Sequence, residues 1–158
     1  MIEAEDQDWA ATDPVTKVGD IWQVGDHIIA CGNALFPDEV LGNVLDGLEL
    51  AKACITDRPY NVPTAGHIRT TQKHAEFAMA AGEMDEQDIT EFLSRSLTAS
   101  LPYMDMTTLY YLFMDWRHVG NLNTAAKYNG LIQQNLCVWS KTNAGMGSFY
   151  RSQHELVG

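Results

Sequence analysis

Apolar residues recur along this chain in two rhythms. Val40, Leu41, Val44, Leu45 and Leu48 fall at helical spacing and predict an amphipathic helix over about 37–48. Ile89, Phe92, Leu93 and Leu97 share one face of a second predicted helix, about 86–101, with Asp85 as its N-cap and Pro102 at its end. Trp116, Val119, Leu122 and Ala126 mark a third, about 115–128, broken by Asn129 and Gly130. Between the helices lie strand signals. "DIWQVGDHIIACGNA" reads as a hairpin turning at Gly25 and Asp26. "AKACIT" is a near-continuous apolar run, as in a strand buried on both faces. "TTLYYLFM" is β-branched and aromatic, "LIQQNLCVWSK" gives another strand, and "HELV" a last one. Residues 1–18 read as a tail, and residues 57–84 as a long loop with a helical piece near 72–81. The order predicts one α/β region over 19–158: a mostly parallel sheet with flanking helices and an antiparallel closing pair.

Charge narrows the partners. A net charge of −11 argues against a chain that coats nucleic acid by bulk electrostatics. The distribution is uneven. Glu3, Glu5, Asp6, Asp8 and Asp13 crowd the N-terminus, and Glu83, Asp85, Glu86, Asp88 and Glu91 crowd the start of the second helix. Arg58, His67, Arg69, Lys73 and His74 instead form a stretch without an acid. No apolar run reaches the ~20 residues that span a bilayer, and the acidic N-terminus does not read as a signal peptide, so a cytoplasmic protein without membrane contact is expected. Cys31, Cys54 and Cys137 are far apart among apolar neighbours. They read as buried reduced thiols, not metal ligands.

The chemistry concentrates in "CITDRPYNVPTAG", residues 54–66. In an open parallel sheet, ligands collect at the carboxyl ends of strands, and Asp57 to Tyr60 sit at such an end. The carboxylate accepts a hydrogen bond from an amino group, and the ring of Tyr60 offers a stacking surface. Pro59 stiffens the turn and biases Arg58 away from helix. An acceptor and a flat ring held together suit a planar base with an exocyclic amino group, of the kind that base-modifying enzymes swing out of a duplex. The plain alternative is a strand-ending turn whose Asp caps local amides.

"TDRPYNV" resembles the Asp-Pro-Pro-Tyr motif of amino-group DNA methyltransferases, with Arg58 in place of the first proline. "GDIWQVGDHIIACGNA" is similar to the strands that precede that motif in the β class. "NLCVWSKTNAGMGSFYRSQHELV" is similar to the segment where a Trp-x-Lys strand leads to a Ser-x-His-Glu strand. The likeness covers about 19–157. It implies a Rossmann-like, S-adenosylmethionine-dependent fold, an incomplete copy of it, and transfer of a methyl group to adenine N6 or, as the alternative, cytosine N4 of double-stranded DNA, as in restriction-modification. It assigns catalysis to Asp57, Pro59 and Tyr60 and places Asp57 also beside the cofactor. Beside that motif, Arg58, Asn61 and the basic-loop residues Arg69 and Lys73 are the expected DNA contacts.

Two departures qualify the likeness. Arg58 sets a cation beside the carboxylate, where it pairs with Asp57 or reaches a phosphate. The glycine-rich cofactor motif that follows the catalytic half in the β class is absent, and "GMGSFY" at 145–150 does not replace it. Gly158 falls as a strand begins, so the expectation is a catalytic half without its C-terminal half, weakly active or inactive alone. The rivals are a non-catalytic remnant that holds DNA or a partner, and an unrelated α/β enzyme. Pairing with a second copy, a homodimer, would cover the edge left by a missing half-sheet. His154 and Glu155 read as structural strand residues before a general-base pair, Trp139 as strand packing and Lys141 as a solvated residue before DNA contacts, and Phe149 and Tyr150 as pocket wall or core.

Overall fold

A computed structural model describes residues 15–63, 79–142 and 150–158. The backbone divides into two compact units, Met1–Asp46 and Gly47–Gly158. The acidic tail lies, up to residue 14, outside the described residues.

In the first unit, β1 (Ile21–Val24) and β2 (His27–Ala30) form the predicted hairpin, with Val24 opposite His27. Gly25 takes φ 60° in the two-residue turn, the left-handed conformation such turns require. The helix expected over 37–48 is reduced to a single 3₁₀ turn, Pro37–Glu39, and the short α1, Leu41–Leu45. Among the described residues no side chain caps α1, and Gly42 lies inside it, so apolar spacing alone does not sustain a longer helix.

The second unit holds β3 (Ala51–Asp57), α2 (Glu86–Ser100), β4 (Met104–Met114), α3 (Val119–Tyr128), β5 (Cys137–Ser140) and β6 (His154–Val157). The sheet order is β3-β4-β6-β5. β3 and β4 are parallel, as expected of strands joined through a helix, and β6 runs antiparallel to both β4 and β5. The architecture is α/β with a mixed four-stranded sheet. The antiparallel closing pair is present, whereas only one of the three pairings is parallel.

Element boundaries move for local reasons. Asp85 caps α2 by accepting from the amides of Gln87 and Asp88, both at 2.8 Å. Asp115 accepts from the Arg117 amide at 2.8 Å, and the resulting turn delays α3 to Val119. The strand expected over 131–141 is confined to β5. Ahead of it, Asn135 Oδ1 accepts from the Leu136 amide at 2.8 Å, and the Gln133 and Gln134 amides donate to nearby carbonyls.

The core lies on one side of the sheet. Ile89, Leu93 and Leu97 of α2, Leu122 and Ala125 of α3, and Leu112 and Met114 of β4 are buried together. Two asparagines join the helices. Asn121 Nδ2 donates to Thr90 Oγ1 at 3.0 Å, and Asn129 Nδ2 to Ser94 Oγ at 2.9 Å. The other sheet face is open. Ile55 is 71% exposed, Leu109 54%, Tyr111 42% and Trp139 54%. β3 is therefore not buried on both faces, because the described helices pack on one side only. Nor are the thiols all buried: Cys31 and Cys54 are half-buried and Cys137 is exposed. Among the described residues, no helix is long and apolar enough to cross a membrane.

Candidate functional site

β3 ends at Asp57, whose backbone partner in β4 is Phe113. Alternation puts Asp57 on the open face with Ile55, and Arg58 on the helix side with Cys54 and Thr56. The chain then turns through Pro59, and Tyr60 folds back. Its hydroxyl donates to Asp57 Oδ1. The two residues singled out from the sequence thus meet at the carboxyl end of a strand. Among the described residues Asp57 Oδ2 makes no hydrogen bond.

Other groups reach the same edge. Asp115 follows β4 directly and is ion-paired with Arg117. Glu155, the second residue of β6, lies opposite Trp139 and is ion-paired with Lys141. Phe113 and Trp139 meet edge to face, with ring centres 6.0 Å apart. Lys141 Nζ stands 5.6 Å from the Trp139 ring centre. Partial burial pushes the Tyr60 phenol well above the usual phenol range, and its bond to Asp57, the charge of Asp57, then Glu155 and Asp115 push the same way. An aromatic hydroxyl amid three carboxylates stays a donor.

Asn61 adopts φ 55° and is only 7% exposed. Its Oδ1 accepts from Gly82 N at 3.0 Å and Met84 N at 3.2 Å, and its Nδ2 donates to Met84 O at 2.8 Å. Expected at a DNA surface, it instead ties the turn after β3 to the segment before α2. Gly82 completes this junction: a Cβ there would stand 2.6 Å from Pro63 Cγ, so the close approach requires glycine.

Arg58 takes neither orientation expected of it. Among the described residues it forms no ion pair with Asp57. Its guanidinium turns toward Cys54 and Tyr110, and among the described residues one terminal nitrogen, Nη1, is buried without a hydrogen-bond partner, as is Thr56 Oγ1. Burial lowers the Arg58 pKa, against which the nearby Cys54 and Tyr110 act. Burial likewise pushes the Cys54 thiol up, and the Arg58 charge opposes it.

Arg69, Lys73, His67 and His74 lie outside the described residues, as does Phe149. His154 and Glu155 point to opposite faces of β6, so they do not act as a pair. Sequence reading passed over Asp115, although it shares the signal that drew attention to Asp57: an acid immediately after an apolar strand. A cleft of about 600 Å³ lies elsewhere, along β4 and α3, and includes neither Asp57 nor Tyr60. No protein-family model matches this sequence, and no curated protein matches it.

Proposed function

We infer that this chain is a base-binding corner of the DNA amino-methyltransferase type, with adenine N6 favoured over cytosine N4. The observation that carries the reading is the contact between Asp57 and Tyr60 at the carboxyl end of β3. Asp57 Oδ2 accepts a hydrogen bond from the exocyclic amino group of an everted base. That acceptor favours the pyramidal form of a nitrogen whose lone pair otherwise delocalises into the ring. The Tyr60 ring stacks on the base, and its hydroxyl holds the carboxylate in place.

S-adenosylmethionine supplies the methyl group in proteins of this type. The residues at this edge do not fit it. They offer carboxylates, but the described turns that directly follow β3 and β4, residues 58–63 and 115–118, contain no glycine. The reading therefore stops at base capture, with methyl transfer by this chain alone weak or absent.

The test compares two duplexes, one fully paired and one with a single unpaired adenine, by fluorescence anisotropy. Preference for the unpaired adenine that disappears in Tyr60→Ala and Asp57→Ala is expected, because eversion is easiest there. Equal affinity for both duplexes refutes the reading. A second reading, a non-catalytic remnant that holds a partner, draws on the open apolar face of Ile55, Leu109, Tyr111 and Trp139.

A further inference from the structure

Among the asparagines of the chain, only Asn129 is followed by a glycine. In such a pair no side chain shields the glycine nitrogen, so it can attack the side-chain carbonyl carbon of the asparagine. A bond forms between Gly130 N and Asn129 Cγ, and the bond from Cγ to Nδ2 breaks. Ammonia leaves with the proton that the Gly130 amide gives up. Water then opens the resulting five-membered succinimide at either carbonyl, which yields aspartate or isoaspartate.

The fold opposes the first step at every point. The Gly130 amide is engaged, donating to Lys127 O at 3.1 Å. Asn129 has φ −93° and ψ 9°, which sets Gly130 N a third of a turn around the Cα–C bond from Cβ, whereas ring closure needs the two on the same side. The side chain is fixed as well. Its Nδ2 donates to Ser94 Oγ and Ala125 O, both at 2.9 Å, and reaches Ser94 O at 3.2 Å. Its Oδ1 accepts from Thr98 Oγ1 at 2.7 Å. Ser94 and Thr98 belong to α2, so cyclisation has to wait until α2 and α3 part.

We propose that Asn129 is a deamidation site gated by the contact between α2 and α3, and that its products hold that contact open. Either product replaces Nδ2 with a carboxylate oxygen. The carbonyls of Ser94 and Ala125, which accept from Nδ2 in the native chain, then face a negative charge. That charge stands at the carboxyl end of α3, where the helix dipole disfavours it. Isoaspartate also lengthens the backbone by one methylene. The conversion is irreversible, and it cuts a tie between the two helices that supply Leu93, Leu97, Leu122 and Ala125 to the core. Asn129 therefore records how long the helices have been apart. This inference does not depend on the base-binding reading.

Peptide mapping by mass spectrometry, on the full chain incubated near neutral pH, follows the conversion. The folded chain is expected to convert at least about tenfold more slowly than a synthetic peptide of residues 125–133. Thr98→Ala removes one tie at an exposed position and is expected to speed conversion about fivefold. Conversion as fast as in the peptide, or as slow in Thr98→Ala as in the native chain, overturns the gating. For the product, amide exchange across α3 is expected to be about tenfold faster in Asn129→Asp than in the native chain. The deamidated native chain, separated by charge, is expected to match that variant. Exchange at the native rate in the deamidated chain overturns the claim that the products hold the contact open.

Discussion

Asn61 grips Met84 through both of that residue's backbone groups, donating to its carbonyl at 2.8 Å and accepting from its amide at 3.2 Å. One side-chain amide thereby does what a strand pairing would do, across the long connection between β3 and α2. The turn that carries Tyr60 is held from behind by this bond. Asn61→Gly keeps the φ of 55° accessible but leaves the partners of three part-buried bonds, the amides of Gly82 and Met84 and the Met84 carbonyl, without Asn61. It is expected to lower stability by about 2 kcal/mol in urea unfolding. Asn61→Ala adds left-handed strain, about 1 kcal/mol more. If alanine proves no worse than glycine, the conformational part of this account is wrong.

Arg58 has the opposite character. Its charge is partly buried and, among the described residues, its Nη1 has no hydrogen-bond partner. A cation so placed is disfavoured relative to an apolar side chain of similar length. Arg58→Met is expected to raise the denaturation midpoint, by about 1–2 kcal/mol in stability. A loss of stability would mean that the guanidinium has a compensating anion in solution.

These two positions show what was legible in the sequence. Periodicity located α2, α3, the hairpin and every strand of the sheet, because apolar spacing reports which side an element buries. It could not report that β3 has only one covered face: "AKACIT" looks the same whether Ile55 is packed or, as here, 71% exposed. Asp57 and Tyr60 were legible because a stiff turn after a strand leaves few places for their side chains. Asn61 was not, since a polar residue in a loop gives no sign of the distant backbone it will bind, 23 residues away in the case of Met84. Arg58 was misjudged because strand alternation sends it to the helix side, away from Asp57. The parallel sheet was overestimated for a similar reason: helices between strands suggest crossovers, but the direction of β6 depends on which neighbours it joins.

The Tyr60 phenol should resist ionisation. Its folded pKa lies above the usual phenol value of about 10, mainly through partial burial. The unfolded chain therefore releases this proton first as pH rises, and stability present below about pH 10 is lost above it. Tyr60→Phe lacks that loss. The stability difference between the native protein and Tyr60→Phe is expected to hold steady from neutral pH to about pH 9 and then to fall. A difference that stays flat to higher pH shows that Tyr60 titrates alike in both states.

The two faces of the sheet give the most direct contrast. Leu93 of α2 is 0% exposed, within the cluster formed with Leu112, Met114 and Leu122. Leu93→Ala removes contacts that cannot be replaced and leaves a cavity, which costs about 3–4 kcal/mol. Ile55, on the open face, loses little on substitution by a residue of equal β-propensity. Ile55→Thr is expected to change stability by less than about 0.5 kcal/mol. The same substitution removes an exposed apolar side chain from a patch that includes Leu109 and Trp139, so self-association should fall. Sedimentation at increasing protein concentration reads the second effect and urea unfolding the first. If Ile55→Thr destabilises as strongly as Leu93→Ala, the open face is covered in solution, and what covers it forms part of the folded state.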